Sequence, residues 1–80
     1  MKNLAKFSRQ LETLNARYAK GYEGTLDFNF GYISALHYNK LISLKESNLL
    51  LKVYANPQNG DGRFAILNSG RFVDYSSDRD

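Results

Sequence analysis

Hydrophobic residues in the first twenty positions of the chain recur every three or four residues. The members of this stripe are Leu4, Phe7, Leu11, Leu14 and Tyr18. An α-helix has 3.6 residues per turn, so this spacing places the stripe on one helix face. Asn3 is a suitable N-terminal cap, and Gly21 can end the helix because glycine readily adopts the left-handed conformation. The pattern therefore predicts an amphipathic helix over residues 3–20.

After Gly24 the hydrophobic residues alternate with polar ones instead. In TLDFNF, residues 25–30, every second residue is Leu or Phe, which is typical of a half-buried β-strand. The stretch LISLKESNLLLKVYA, residues 41–55, has the polar residues KESN between two apolar runs and is interpreted as a β-hairpin. Residues 31–39 fit either another strand or a short helical turn.

A second hairpin is predicted over residues 63–75, where two runs rich in Phe, Ile and Val flank a polar turn. Residues 68–70 form a three-residue loop, with Gly70 at the position that needs a left-handed backbone. Pairing Ile66 with Phe72 directs both side chains toward the core.

Together these elements predict an α+β fold, in which one N-terminal amphipathic helix packs on an antiparallel meander sheet of about four to six strands. The sheet could also curl into a small barrel that buries both of its faces. Eighty residues allow one hydrophobic core, so we expect a single domain over residues 1–75 and a frayed polar tail over residues 76–80. Since the chain has no cysteine, disulfides and thiolate metal sites are excluded.

The glycine-rich stretch NPQNGDG, residues 56–62, resembles a ligand-binding loop at first sight. A calcium loop would need an oxygen ligand where Pro57 stands and a glutamate where Asn68 stands. A phosphate-binding glycine loop would open a helix, but a strand is predicted to follow. Asn-Gly and Asp-Gly are typical of tight turns. We therefore predict a turn.

Positive charge is concentrated in the predicted helix. Residues 1–20 contain five Lys or Arg and one Glu, a net charge of +4, whereas residues 21–80 contain six Lys or Arg and seven Asp or Glu, a net charge of −1. The five cations fall in one arc opposite the apolar stripe: Lys2, Lys6, Arg9, Arg17 and Lys20. This arc is either a solvated helix face or a surface that attracts an anionic partner.

The outward face of the predicted sheet is a second candidate site. It is expected to present apolar, aromatic and arginine side chains to a partner, a composition favoured at protein interfaces. The residues assigned to this partner-binding face are Leu50, Tyr54, Arg63, Arg71 and Tyr75. A homodimer formed through this face is an alternative, and barrel closure would bury it instead.

Catalytic chemistry has little support in the sequence. His37 is the single histidine, and one imidazole without clustered acids or cysteines makes no metal site. As a general base it would need a partner such as Glu23 or Asp27. We therefore expect no enzyme, no metal and no cofactor. A small ribonuclease toxin, acting through His37, Tyr38 and Arg71, remains a third hypothesis.

The hypothesis that these features favour most is a non-enzymatic binding protein that docks on a larger protein or nucleoprotein complex. The chain resembles the small proteins encoded by phages and mobile elements, anti-CRISPR proteins among them, in its size, its many Tyr and Asn residues and its turns. That resemblance implies an inhibitor of a host complex.

The alternative is an RNA or single-stranded DNA binding module that uses the basic helix face and the Arg/Tyr sheet face. The helix-then-meander order resembles that of Sm-like RNA-binding proteins at the level of the fold alone. With no signal-peptide pattern and no apolar run near the roughly 20 residues of a membrane helix, we expect a cytoplasmic protein without membrane association.

Overall fold

The computed structural model describes residues 2–19 and 21–75, and of Lys2 only the backbone. Three α-helices are followed by a one-turn 3-10 helix and a two-stranded antiparallel hairpin. In chain order they are α1 (Lys2–Arg17), α2 (Tyr22–Tyr38), α3 (Leu44–Tyr54), the 3-10 turn (Pro57–Asp61), β1 (Phe64–Ile66) and β2 (Phe72–Asp74). The predicted α+β fold with a meander sheet of four to six strands is therefore wrong, because most of its expected strands are helical. The predicted tail, residues 76–80, lies outside the described residues.

Helix α1 forms as its apolar spacing predicts. Leu4 and Leu11 are fully buried and Phe7 is nearly so, which confirms the inward stripe over most of the helix. The stripe ends early, because Tyr18 lies beyond the last helical residue and is largely exposed. Asn3 lies inside the helix rather than at its cap.

Helix α2 replaces the strand predicted over residues 25–30. Its buried side chains are Asn29, Ile33 and Leu36, which follow the i, i+4, i+7 spacing of a helix face. Asn29 is polar, so the helical apolar pattern is interrupted at this position. The alternation of Leu and Phe in the same stretch therefore indicated a strand. Phe30, assigned inward by that alternation, is mostly exposed.

Helix α3 replaces the hairpin predicted over residues 41–55. Ser43 and Glu46 form a reciprocal capping box: the Glu46 amide donates to Ser43 Oγ at 3.1 Å, and the Ser43 amide donates to Glu46 Oε1 at 2.9 Å. These bonds satisfy backbone donors that the first helical turn leaves unpaired. The expected hairpin loop KESN is therefore the first half of a helix, and Leu50 on its inner face is fully buried.

Helices α2 and α3 form an antiparallel pair. Near the start of α2 the Tyr22 hydroxyl donates to the carbonyl of Pro57 at 2.7 Å, just beyond the end of α3. Further along, Asn29 Nδ2 donates to the carbonyl of Tyr54 at 2.8 Å. Residues 39–43 join the opposite ends of the two helices. This arrangement is an αα-hairpin with contact along both helices.

Helix α1 runs antiparallel to α2, which gives an up-down-up order. Asn3 Nδ2, at the start of α1, donates at 3.3 Å to the carbonyl of Leu41, which follows the end of α2. Midway along α2 the Tyr32 hydroxyl donates to Gln10 Oε1 at 2.7 Å. The N-terminus of α1 therefore lies beside the turn that joins α2 to α3.

The second predicted hairpin is confirmed, including its register. Ile66 pairs with Phe72, and Gly70 has the left-handed backbone that the turn requires, with φ of 87°. The hairpin packs on α1 and α3, and Arg9 Nη1 donates to the carbonyl of Asn68 in its loop at 3.3 Å. The hydrophobic core consists of Leu4, Phe7, Leu11, Ile33, Leu36, Ile42, Leu50 and Ile66.

The stretch NPQNGDG is a structural turn, as predicted, although it leaves a helix rather than a strand. Asn59 holds it in place: its Nδ2 donates to the carbonyls of Val53 and Phe64 at 2.9 and 3.1 Å, and its Oδ1 accepts from the Phe64 amide at 2.7 Å. Gly62 follows with a left-handed φ of 74°. The asparagine side chain thereby links the end of α3 to the first strand.

A candidate binding surface at the turn between α2 and α3

The five residues predicted on an outer sheet face do not share one face, because the described residues contain no such sheet. Arg63 and Tyr75 do lie side by side at the open end of the hairpin, where the Tyr75 amide donates to the Arg63 carbonyl at 2.7 Å. Leu50 is fully buried, and Tyr54 is half-buried in α3 against α1. Arg63 and Arg71 are exposed at the starts of the two hairpin runs. Tyr75 follows the second strand and is partly exposed. The sheet that was expected to carry these five residues is therefore wrong, and they are distributed over α3 and the hairpin.

The predicted basic arc is described in part. Lys6, Arg9 and Arg17 are exposed on the side of α1 that faces away from the core. Lys20 and the side chain of Lys2 lie outside the described residues. Lys6 and Arg9 border a shallow groove of about 500 Å³ between α1 and α2, to which Tyr32 contributes.

A set of exposed apolar side chains lies at the turn between α2 and α3. Tyr38 is 87% exposed, Leu41 51% and Leu44 61%. These three large groups lie within seven consecutive positions, and exposed apolar groups with a polar border are a common feature of interaction sites. Two exposed lysines, Lys40 and Lys45, stand among them. We name these five residues the turn-end surface.

The turn begins with a helix C-terminal motif that has an unusual residue at its key position. The Lys40 amide donates to the carbonyl of His37 at 3.0 Å, and the Leu41 amide donates to the carbonyl of Leu36 at 2.9 Å. These are the paired bonds of a Schellman motif, whose left-handed residue is usually glycine. Here it is Lys40, with φ of 61°, which costs roughly 1 kcal/mol relative to a right-handed backbone. Strain of this kind is found more often at functional positions.

The remaining turn residues, 41–43, are held by three sets of contacts. Ile42, between the exposed Leu41 and the helix cap Ser43, is buried in the core. The carbonyl of Leu41 accepts from Asn3 of α1, and Ser43 belongs to the capping box. The apolar side chains therefore project from a rigid backbone, which lowers the entropy cost of binding a partner.

Sequence reasoning missed this surface because it assigned residues 41–55 to a hairpin. That interpretation made Leu41 and Leu44 part of a β-strand instead of an interhelical turn. The signal that could have found it is the S-x-x-E spacing of Ser43 and Glu46, since this is the sequence pattern of a capping box. A helix that starts at Leu44 leaves the preceding residues to form an interhelical turn.

His37 is exposed in the last turn of α2. Over residues 2–19 and 21–75, no three His, Cys, Asp or Glu side chains lie close enough to hold a metal ion. Within the same part of the chain, the helices are too short or too polar to cross a bilayer.

Comparison with known proteins gives one weak similarity. No protein-family model matches the chain. In an alignment of 77 positions that covers 89% of this chain, the chain is 29% identical to a probable receptor-like protein kinase of Arabidopsis thaliana. The chain spans 9% of the length of that protein, so the match carries no activity over to this chain. No solved structure matches this chain.

Proposed function

We propose that this protein is a non-enzymatic binding protein that docks on another protein through the turn-end surface. The observation that carries the proposal is the combination of Tyr38, Leu41 and Leu44, all more than half exposed, on a backbone held by the capping box and the core. A buried aromatic or aliphatic anchor ringed by polar groups is the usual composition of a binding hot spot. The surface thus supplies an anchor and a polar rim.

The charges of the surface favour an acidic partner. Lys40 and Lys45 are exposed beside the apolar side chains, whereas the carboxylate of Glu46 is engaged with the Ser43 amide. Lysines at the rim of an interface mainly raise the association rate and select against basic surfaces. Exposed Lys6 and Arg9 on α1 add to the same positive field.

An inhibitor is the kind of binding protein that this proposal favours. An 80-residue chain with a rigid apolar projection can occupy a functional surface of a larger complex without any chemistry of its own. The phage-type inhibitor of a host complex belongs to this class.

Photo-crosslinking from the surface tests the proposal directly. A photoreactive amino acid replaces Tyr38, which is 87% exposed, and the protein is irradiated in the cells that make it. We expect one protein to be captured reproducibly, and its purified form to bind the unlabelled chain. The matched control places the same group at Phe30, which is 58% exposed on α2. Equal capture from both positions, or none from Tyr38, would contradict the proposal.

Nucleic-acid binding is the second candidate, and the groove between α1 and α2 favours it. Lys6 and Arg9 border this groove beside Tyr32, which offers cations for phosphates and an aromatic ring for a base. This candidate predicts an affinity that falls steeply with salt. It also predicts loss of binding in the double variant Lys6→Glu/Arg9→Glu, whereas Leu44→Asp would leave binding unchanged.

A further inference from the structure

Asn59 is followed by Gly60, and an asparagine before glycine can lose its side-chain amide in water without an enzyme. The Gly60 amide nitrogen attacks Asn59 Cγ, since glycine has no side chain to obstruct the approach. The Cγ–Nδ2 bond breaks, and Nδ2 leaves as ammonia with the proton of the Gly60 amide. Water then opens the succinimide ring, so that residue 59 becomes aspartate or isoaspartate.

Three hydrogen bonds hold the Asn59 carboxamide away from this reaction. Its Nδ2 donates to the carbonyls of Val53 and Phe64 at 2.9 and 3.1 Å, and its Oδ1 accepts from the Phe64 amide at 2.7 Å. Attack by the Gly60 nitrogen requires the carboxamide to rotate toward its own peptide bond, and this rotation breaks the three bonds. The carboxamide of the folded chain is therefore fixed in an unreactive orientation.

The backbone around Asn59 is fixed as well. Within the 3-10 turn the Asn59 carbonyl accepts from the Gly62 amide at 3.0 Å. The Tyr22 hydroxyl donates to the carbonyl of Pro57 at 2.7 Å. The same hydroxyl lies against Gly60, where an added Cβ would be 3.5 Å from it. Formation of the succinimide ring rotates the peptide plane between Asn59 and Gly60, so it requires this turn to open first.

Deamidation removes the contact that joins α3 to β1. A carboxylate has acceptors but no donor, so it cannot bond to the carbonyls of Val53 and Phe64, which Asn59 reaches in a partly buried position. Its negative charge also repels both carbonyl oxygens. Leaving acceptors unpaired away from water destabilises the fold. Isoaspartate in addition inserts a methylene group into the main chain. Neither product can restore the contacts of the Asn59 carboxamide.

We propose that Asn59 is a deamidation site that becomes reactive when the chain unfolds, and that the reaction makes unfolding irreversible. The folded chain blocks the reaction through the carboxamide bonds and the turn, and the unfolded chain has neither constraint. A domain of 80 residues has a small margin of stability, so it unfolds from time to time. A chain that reacts in that state cannot attach its hairpin to α3 again. This inference is independent of the turn-end surface and of its partner.

Mass spectrometry of the full chain tests the protection. The wild type is incubated at mildly alkaline pH with and without guanidinium chloride, and the mass gain from exchange of NH2 for OH is followed in the peptide that contains Asn59. We expect the rate without denaturant to be at least tenfold lower, because the reaction is limited to molecules whose turn is open. Asn68, in the exposed hairpin loop before Ser69, is the internal reference and should be slowed less. Equal rates at Asn59 in both solutions, or equal slowing of the two asparagines, would overturn the proposal.

Substitution at Tyr22 tests whether the turn controls the reaction. Tyr22→Phe removes the donor to the carbonyl of Pro57 and leaves the bonds of the Asn59 carboxamide in place. Loss of one such bond favours opening of the turn, so deamidation at Asn59 without denaturant should accelerate about threefold or more. Tyr18→Phe, at a position that is 64% exposed, is the matched control and should react as the wild type does. An unchanged rate in Tyr22→Phe contradicts the proposal.

The variant Asn59→Asp tests the consequence of the reaction. It carries the charge of the product, so its equilibrium constant for folding, measured with urea, should be at least tenfold lower than that of the wild type. Asn68→Asp makes the same chemical change in the exposed hairpin loop and should not lower this constant. Wild-type stability of Asn59→Asp would overturn the claim that deamidation is irreversible for the fold. If this variant does not fold at all, the claim is supported, and the rate measurements on the wild type still test the protection.

Discussion

The hydroxyl groups of Tyr54 and Ser8 are hydrogen-bonded to each other, which joins α3 to α1 beside the core. The Tyr54 hydroxyl also lies within hydrogen-bonding distance of the Ser8 carbonyl and of Glu12 Oε1, each at 3.3 Å. Burial is the largest cause that raises the pKa of Tyr54, to about 12; the bond with Ser8 lowers it, and the Glu12 charge raises it. The neutral phenol is therefore the form that the folded state favours.

This pKa predicts a loss of stability in alkaline solution. Because the pKa is raised on folding, the contribution of Tyr54 is complete below its ordinary pKa of 10.0 and disappears as the pH rises through about 12. The free energy of unfolding, measured with urea, should fall over this window in the wild type. Tyr54→Phe should be less stable at neutral pH by about 1 kcal/mol and should fall less steeply. Tyr38→Phe, at the exposed turn, is the control, and an equally steep fall in Tyr54→Phe would refute the prediction.

The left-handed backbone of Lys40 predicts a stabilising substitution. Lys40→Gly relieves a φ of 61° and should raise the free energy of unfolding by roughly 0.5–1 kcal/mol. Asn39→Gly is the neighbouring control: Asn39 has a right-handed φ of −83°, so glycine there should destabilise by a similar amount. Thermal unfolding of the two variants measures both effects. Destabilisation by Lys40→Gly would show that the lysine side chain stabilises the turn.

Replacing two glycines that have open surroundings by alanine should change the free energy of unfolding in opposite directions. Gly31 lies within α2 and a Cβ there would meet nothing within 4 Å, so Gly31→Ala should stabilise by about 0.5–1 kcal/mol. Gly62 is equally open but has φ of +74°, so Gly62→Ala should destabilise by about 1 kcal/mol. Chemical denaturation gives both values. If both alanines had the same effect, backbone conformation would not be the cause.

The capping box predicts that the stability of α3 depends on the hydroxyl group of Ser43. Ser43→Ala removes the acceptor of the Glu46 amide and should cost about 1 kcal/mol of stability. Ser34→Ala, at an exposed position inside α2, is the matched serine control. There alanine should be neutral or slightly stabilising, because it is the better helix former. Circular dichroism during urea unfolding compares them, and equal effects would argue against the cap.

Sequence patterns predicted the two ends of the fold. The stripe through Leu4, Phe7 and Leu11 specified α1, since each of these residues is buried. The pairing of Ile66 with Phe72 and the left-handed Gly70 specified the hairpin, because a Gly-containing turn fixes the register of adjacent strands. Both segments carry strong local signals that tertiary contacts reinforce.

The middle of the chain was predicted wrongly because its local signals conflict with its packing. Helix α2 buries Asn29 where an apolar residue is expected, and its two glycines, Gly24 and Gly31, lower its helix propensity. Helix α3 begins with the capping box of Ser43 and Glu46. This cap favours a helix over the polar residues KESN, which had indicated a loop. The turn-end surface depends on both helices, so it could not be located before them.

The direct test of the turn-end surface compares the affinities of two variants for the protein captured by crosslinking. Leu44→Asp and Phe30→Asp each place a carboxylate on a side chain of similar exposure, 61% and 58%, and circular dichroism verifies that each remains folded. Isothermal titration calorimetry should show that Leu44→Asp weakens binding by about 2 kcal/mol or more, as loss of a hot spot does, and that Phe30→Asp binds as the wild type does. Unchanged binding of a folded Leu44→Asp variant would contradict the proposal that the chain docks through this turn.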